Sequence, residues 1–324
     1  MIELKEINKT FRVAKRTAGL REAAKSLFHR EYTEIRALQD VSFTIGDGEM
    51  VGYIGPNGAG KSSTVKIMSG ILTPDSGSCL IDGRVPWKDR KAHVQQIGVV
   101  FGQRSQLWWD VPVIDSFQLL RDIYRVEEAA YRRNLDRLTE ELAIGEILKT
   151  PARQLSLGQR MRCEIAASLL HDPRILFLDE PTIGLDAASK IAVREFIKAL
   201  NRERGTTVIL TTHDMQDVEA LTERILLIGK GRILMDGSLS ELRKRNSTQR
   251  TVTVDYSGGV LPELPGARVL KDPGGHAQIE VDTEVLPVSR LISEVAAKVD
   301  VKDLEVSGDT IDDVVLKLYK EFEI

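Results

Sequence analysis

Residues Gly55-Pro-Asn-Gly-Ala-Gly60-Lys61-Ser62 fit the pattern G-x-x-x-x-G-K-[ST]. They follow the apolar run MVGYI and open a helical pattern over 61–70. That strand-before, helix-after context is what identifies a phosphate-binding loop. Glycines let consecutive backbone N–H groups point inward and wrap a polyphosphate. The helix N-terminus adds its partial positive charge. Gly55, Asn57, Gly58, Gly60 and Ser63 belong to this cradle. Lys61 is expected to reach the β- and γ-phosphates, and Ser62 to ligate Mg²⁺ through its hydroxyl.

Strand and helix alternate around the loop. Residues 2–13 and 37–54 read as strands, the second through LQDVSFTI and MVGYI. Short apolar runs follow at GVV after Ile97, at 174–180 and at 206–214. They lack alternation, as strands buried on both faces do. Helical patterns at 61–70, 187–204 and 215–222 lie between the runs, and Gly205 stops one of them. The pattern predicts an α/β core, a mostly parallel sheet wrapped by helices. Residues 113–172 are helical almost throughout, so a helical subdomain, about 104–172, is inserted into that core. A second insertion, about 14–36, carries Leu20, Ala24, Leu27 and Phe28 at helical spacing and a charge of +3. Its stripe either packs on the domain or meets a membrane protein or anionic lipid heads; folding favours the first.

The first domain is expected over 1–245. After about Lys244 the composition shifts, and residues 247–324 carry eight basic and fifteen acidic side chains. Strand-like TVTVDY, ARVLK and QIEVD precede a helix near 287–298, a strand VKDLEV and a helix over 311–322, with Thr310 and Asp313 as a capping box. Residues 246–324 therefore form a small C-terminal α+β accessory domain whose sequence carries no chemistry of its own.

A length of 324 residues agrees with two domains. The net charge of 45 − 48 = −3 argues against a nucleic-acid binder. Two cysteines, Cys79 and Cys163, exclude a disulfide scaffold and a four-thiolate zinc site. No apolar run reaches the ~20 residues that span a bilayer. The charged start reads as no secretion signal. A cytoplasmic chain is expected, one that meets a membrane through a partner.

A second chemical element is Ile175-Leu-Phe-Leu-Asp179-Glu180, an apolar strand ending in two carboxylates. Asp179 is expected to hold Mg²⁺ through a water. Glu180, past the strand end where ligands of open α/β sheets sit, is the candidate base expected to orient the attacking water.

Leu155-Ser156-Leu157-Gly158-Gln159 discriminates among phosphate-loop enzymes. Here the chain resembles the ABC ATPase family over about residues 1–240. The family pattern is LSGGQ, and Leu157 departs from it while Ser156, Gly158 and Gln159 are retained. The resemblance implies that this segment binds the γ-phosphate of ATP held by another subunit, in a head-to-tail dimer around two ATPs. By the same resemblance Gln103 joins the Mg²⁺ and water site to the helical subdomain. Asp186, in Gly184-Leu185-Asp186, crosses the dimer interface, and His213 contacts the γ-phosphate and aligns Glu180. Phe11 is the aromatic available to stack on adenine, with plain core as its other reading.

Such an ATPase is expected to drive a separate membrane permease, with a second ABC ATPase subunit, identical or paralogous, as its dimer partner. The chain would then sit peripherally on the inner face of the cell membrane. Trp108 and Trp109, two of only three tryptophans, offer aromatic anchors for that permease; at least one is expected to face inward and cap the helical subdomain. The 14–36 insertion, FGQRSQLWWD, LSLGQRMR and the C-terminal domain together resemble drug- and viologen-exporter ATPases. The alternative is an ABC ATPase with a mechanical or regulatory role and no solute transport. Family members acting in translation or DNA repair fit less well, because the chain has one phosphate loop and no heptad run.

Overall fold

The structure is a computed structural model that describes residues 1–14, 32–102, 104–245, 249–308 and 311–322. It divides into two compact units, Met1–Gly237 and Ser238–Ile324.

In the first unit, β1 (Ile2–Ala14), β2 (Tyr32–Ile45) and β4 (Ser76–Ile81) form an antiparallel sheet in the order β2-β1-β4. A second sheet has the order β5-β6-β7-β3-β8-β9. Its strands are β3 (Met50–Ile54), β5 (Ile97–Phe101), β6 (Ile175–Asp179), β7 (Thr207–Thr212), β8 (Arg224–Gly229) and β9 (Arg232–Ser238). The pairs β5/β6, β6/β7, β7/β3 and β3/β8 are parallel. Successive side chains of a strand face opposite ways, and here the two faces feed two cores. Leu176 and Leu178 pack among the helices, while Ile175 and Phe177 pack with Ile2, Leu4, Val65 and Met68. Burial on both faces is why these runs carry no polar alternation.

The helices of this unit are α1 (Lys61–Met68), α2 (Arg90–Val94), α3 (Val113–Tyr124), α4 (Glu128–Glu141), α5 (Leu157–Leu169), α6 (Ala187–Arg204) and α7 (Met215–Leu221). α3, α4 and α5 make up the helical region, through Phe117, Leu138 and Met161. Arg162 donates to the carbonyls of Leu142 and Ala143, at the C-terminal end of α4, where a cation suits the helix dipole.

The predicted α/β architecture is what forms, with two differences. The antiparallel sheet does not follow from the parallel pattern; it exists because β1 finds two partners distant in sequence. The β1/β2 ladder also runs out to Ala14↔Tyr32. Residue 14 and residues 32–36, at the two ends of the expected insertion, are thus strand. The helix expected within 14–36 falls on residues 15–31, outside the described residues.

In the second unit, α8 (Leu239–Arg245) precedes β10 (Gln249–Ser257), β11 (Ala267–Lys271), β12 (His276–Asp282), α9 (Val288–Ala296), β13 (Asp300–Gly308) and α10 (Ile311–Glu321). The sheet is antiparallel, in the order β11-β12-β10-β13. Val252, Val254, Ile279 and Val281 pack on Leu291 and Val295 of α9. The sequence assigns α8 to the first domain, but α8 packs on α10 and belongs to this unit. Thr310 of the expected capping box lies outside the described residues.

Candidate functional site

Parallel pairing sets the carboxyl ends of the central strands side by side. Ile54 pairs with Thr212, and Asp179 with both Thr211 and Phe101. Ligands of open α/β sheets bind at that edge. The glycine-rich loop 55–60, expected to hold phosphate, leaves β3 there and turns into α1.

Two glycines fix how closely the loop can lie. A Cβ on Gly55 would stand 2.4 Å from the Ile228 carbonyl oxygen. At Gly60 it would stand 2.7 Å from the Ala37 oxygen, and φ there is 115°. Neither position admits a side chain. The loop bounds a cavity of about 620 Å³, within the roughly 300–1,000 Å³ of small-molecule sites. Asn57, Gly58, Gly60, Lys61, Ser62 and Ser63 line it, facing Asp179, Glu180 and His213.

Lys61 Nζ donates to the carbonyls of Gly55 at 2.6 Å and Pro56 at 3.2 Å. Burial pulls its pKa below the usual lysine range, opposed by the charges of Glu180 and Asp179. Asp179 Oδ1 accepts from the Thr211 hydroxyl at 2.5 Å and from the Ser62 hydroxyl at 3.4 Å. Glu180 has φ of 54°, a left-handed conformation that costs a residue with a side chain roughly 1–2 kcal/mol. Its N–H donates to the Thr211 carbonyl at 2.9 Å. Its Oε1 bonds His213 Nδ1 at 3.2 Å. Behind them the fully buried Asp217 accepts from Thr182, Thr212 and Arg194, tying the segment after Glu180 to the segment that carries His213.

The remaining sequence-derived residues lie around this centre. Gln103 is outside the described residues, and both its neighbours, Gly102 and Arg104, line the cavity. Phe11 does not line it, whereas its cross-strand partner Ile35 does. Ser156, Gly158 and Gln159 are not part of their own chain's cavity wall. Ser156 caps α5: its hydroxyl accepts from Gln159 N–H at 3.2 Å, and Gln159 Oε1 accepts from Ser156 N–H at 2.9 Å. Gly158 lies so near α6 that a Cβ would stand 2.3 Å from Ser189 Oγ. Asp186 caps α6, and bonds from Ser189 hold its carboxyl below the usual range.

The inward-facing tryptophan does not occur. Trp108 is 58% exposed and Trp109 is 51% exposed. Leu107 takes the buried position beside them, and Trp109 instead lies 5.6 Å from the Arg160 guanidinium. Arg104 and Thr211 are cavity and support residues that pattern reading missed. Their signal is nearness in sequence: Arg104 adjoins Gln103, and Thr211 lies two residues before His213.

Comparison with known proteins bears on the family and the fold. A profile of the ABC transporter family matches residues 38–183. The ABC transporter ATP-binding protein NatA of Bacillus subtilis is 33% identical over 68% of this chain and 89% of its own length. The daunorubicin resistance ATP-binding protein DrrA3 of Streptomyces coeruleorubidus is 29% identical over 89% of this chain and 93% of its own. A solved dimer of the ATP-binding cassette MJ0796 in a post-hydrolysis state, bound to ADP and Pi, superposes with a TM-score of 0.62. It is 27% identical and covers 74% of this chain and 99% of that one. A third of residues shared over nearly all of NatA, on a cassette fold whose strand ends carry a phosphate loop, is more than fold likeness: the chain belongs to the ABC transporter family, as an ATP-binding subunit that hydrolyses ATP.

Proposed function

We propose that this subunit powers a membrane exporter, closing with a second ATPase subunit around two ATP molecules and pulling on a separate permease. One observation carries the shared-site reading. The cavity holds Lys61, Glu180 and His213, while Ser156 is exposed at the head of α5, outside its own chain's cavity. A Ser-capped helix end suits an anion, and a second chain's γ-phosphate supplies one. Lys61 and the partner's Ser156 offset phosphate charge, and Glu180, aligned by His213, polarises the water. Gln103 is assigned to the same water and metal site. Phe11, or Ile35 in its place, bears on adenine. Each site is complete only in the closed dimer, so ATP binding becomes movement between subunits.

The Ser62 hydroxyl and Asp179 carboxylate are hard oxygen donors on one side of the cavity. Mg²⁺ is commonly held by one or two carboxylates together with substrate phosphates and water. Among the described residues no group of three or more His, Cys, Asp or Glu forms a self-sufficient metal site. When bound, Mg²⁺ would neutralise charge on the β- and γ-oxygens. Chelation is expected to abolish hydrolysis without unfolding the chain, and added Mg²⁺ to restore it; hydrolysis that persists in excess chelator contradicts the assignment.

Shared sites are tested by a chain carrying both Asn57→Cys and Ser156→Cys. The two native thiols, Cys79 and Cys163, are buried, so new disulfides report the new pair. ATP is expected to produce cross-linked dimers. A bridge confined to single chains would show that Ser156 serves its own cavity.

Export is supported by the match to DrrA3, which extends into the second unit; an accessory domain at 246–324 is part of the same reading. No helix among the described residues is long and apolar enough to cross a membrane. The spanning part is here a separate permease, which holds the chain at the inner membrane face. Its dock is the exposed Trp108–Trp109 pair, a few residues beyond the cavity-lining Gly102 and Arg104. Removing such an anchor commonly costs about 2 kcal/mol or more. Trp108→Ala is therefore expected to weaken permease binding roughly 30-fold, with basal ATPase little changed. Full permease capture by both Trp108→Ala and Trp109→Ala rules this dock out.

A further inference from the structure

Glu164 is a carboxylate at a packing position. It lies on α5 about two turns beyond Ser156 and is only 4% exposed. Its neighbours Cys163, Ile165 and Ala166 are buried and apolar. A carboxylate in such surroundings is costly unless its oxygens are bonded, and a leucine would fill the space without that cost.

Both oxygens are taken, and by one short segment. Oε1 accepts from the Ser105 hydroxyl, and Oε2 from the Gln106 backbone N–H at 3.0 Å. The Gln106 side chain donates to the Val99 carbonyl of β5 at 2.7 Å, and Leu107 N–H donates to Ser105 Oγ at 3.1 Å. Segment 105–107 is thus fastened to α5 on one side and β5 on the other. One turn back along α5, Arg160 reaches the Trp109 ring. Burial pushes the Glu164 carboxyl above its ordinary range, while bonds from Ser105, Gln106 and Leu107 favour the ionised form.

We propose that Glu164 is a positioning residue, clamping segment 104–107 to α5 so that the cavity wall and the Ser156 end of the helix shift as one body; this rests on the shared-site reading above. Arg104 lines the cavity at one end of the clamp, and Ser156 heads α5 at the other. Leu157 extends the body further: a Cβ on Gly184 would stand 2.9 Å from Leu157 Cδ2, so the helix end also bears on the loop before α6. Through the clamp, nucleotide arriving in one chain's cavity moves the Ser156 that serves the other chain's cavity. Glu164 touches neither nucleotide nor water in this scheme, so its removal acts on coupling.

The test uses the full chain, with ATP hydrolysis and backbone hydrogen exchange measured with and without ATP. In the unsubstituted chain ATP is expected to slow exchange at 57–63 and at 156–160 together. In Glu164→Leu, protection at 57–63 should persist and protection at 156–160 should be lost. The kcat should fall about tenfold while KM for ATP stays within about twofold, because the phosphate cradle is untouched. Glu164→Gln can keep its oxygen on the Gln106 N–H and turn its NH₂ to the Ser105 hydroxyl, losing only the charge-assisted strength of the two bonds, so it should fall between. A residue that only supports the fold would instead lower the melting temperature and leave the joint protection intact in folded molecules. If Glu164→Leu does not fold, Ser105→Ala decides, with about a threefold loss of kcat and reduced protection at 156–160 expected. Undiminished protection at 156–160, or kcat within about twofold of the parent in the deciding variant, overturns the clamp. Absence of ATP hydrolysis and of protection at 57–63 in the unsubstituted chain would instead defeat the ATPase reading beneath it.

Discussion

Glu180→Gln is expected to lower kcat for ATP hydrolysis by about 10²–10³-fold, the scale of a general base, while ATP binding survives. The substitution keeps the side chain's size and one acceptor oxygen, so the His213 contact at 3.2 Å can persist. What disappears is the negative charge proposed to polarise water. The backbone at Glu180 is held by its own N–H on the Thr211 carbonyl and by the Thr182–Asp217 bond two residues on, so the left-handed turn does not depend on the carboxylate. Binding without turnover should then accumulate an ATP-bound dimer, visible by size-exclusion chromatography with ATP and absent without it. A His213→Ala variant should lose activity through misalignment of Glu180, and combining the two should cost less than the sum of the separate losses, since they act as a unit. Near-normal turnover by Glu180→Gln would remove the residue from the role of base and return the question to what else faces the cavity.

What the sequence made legible follows from how local each signal is. The loop at 55–62 and the DE at a strand end are contiguous, and their chemistry survives being read along a line. Strands β3, β5, β6 and β7 were readable because burial on both faces leaves only apolar residues. The sheet β2-β1-β4 was not, because its existence depends on pairings such as Leu4↔Cys79 that only the folded chain brings together. β4 itself, SGSCLI, carries too little apolar patterning to announce a strand. Asp217 and Glu164 escaped for a related reason. Each is a single acid within a helix, and nothing in the line of residues says that the helix is buried at that position. Conversely, at least one of the anchor pair Trp108 and Trp109 was expected to face inward, yet Leu107 is the residue that does. Adjacent residues in a loop compete for one inward position, and composition does not say which wins. Phe11 shows the same limit across a strand pair, where Ile35 reaches the cavity wall and Phe11 does not.

Lys61→Ala should act one step earlier than Glu180→Gln, on binding itself. The ammonium is buried against the Gly55 and Pro56 carbonyls, its pKa pulled down by desolvation and supported by Glu180 and Asp179. Phosphate oxygens are stronger partners than carbonyls, and each charge-assisted bond is worth about 1.5–3 kcal/mol. Losing the pair should weaken ATP by at least about 3 kcal/mol, on the order of 10²-fold in Kd. Stability should change little, because the two carbonyls border the cavity and water can replace the ammonium. Lys61→Arg is the sharper variant. It keeps the charge but replaces a compact point with a planar fork. The loop is closed in by the approach of Gly55 to Ile228 and of Gly60 to Ala37, which leaves no slack for the larger group. Binding is expected to remain weak, so position and not charge alone would be shown to matter. Titration calorimetry with a non-hydrolysable ATP analogue measures all three chains. An alanine variant that binds the analogue as tightly as the parent would mean that the phosphates do not lie in this loop, and the site would have to be rebuilt from the Asp179 side.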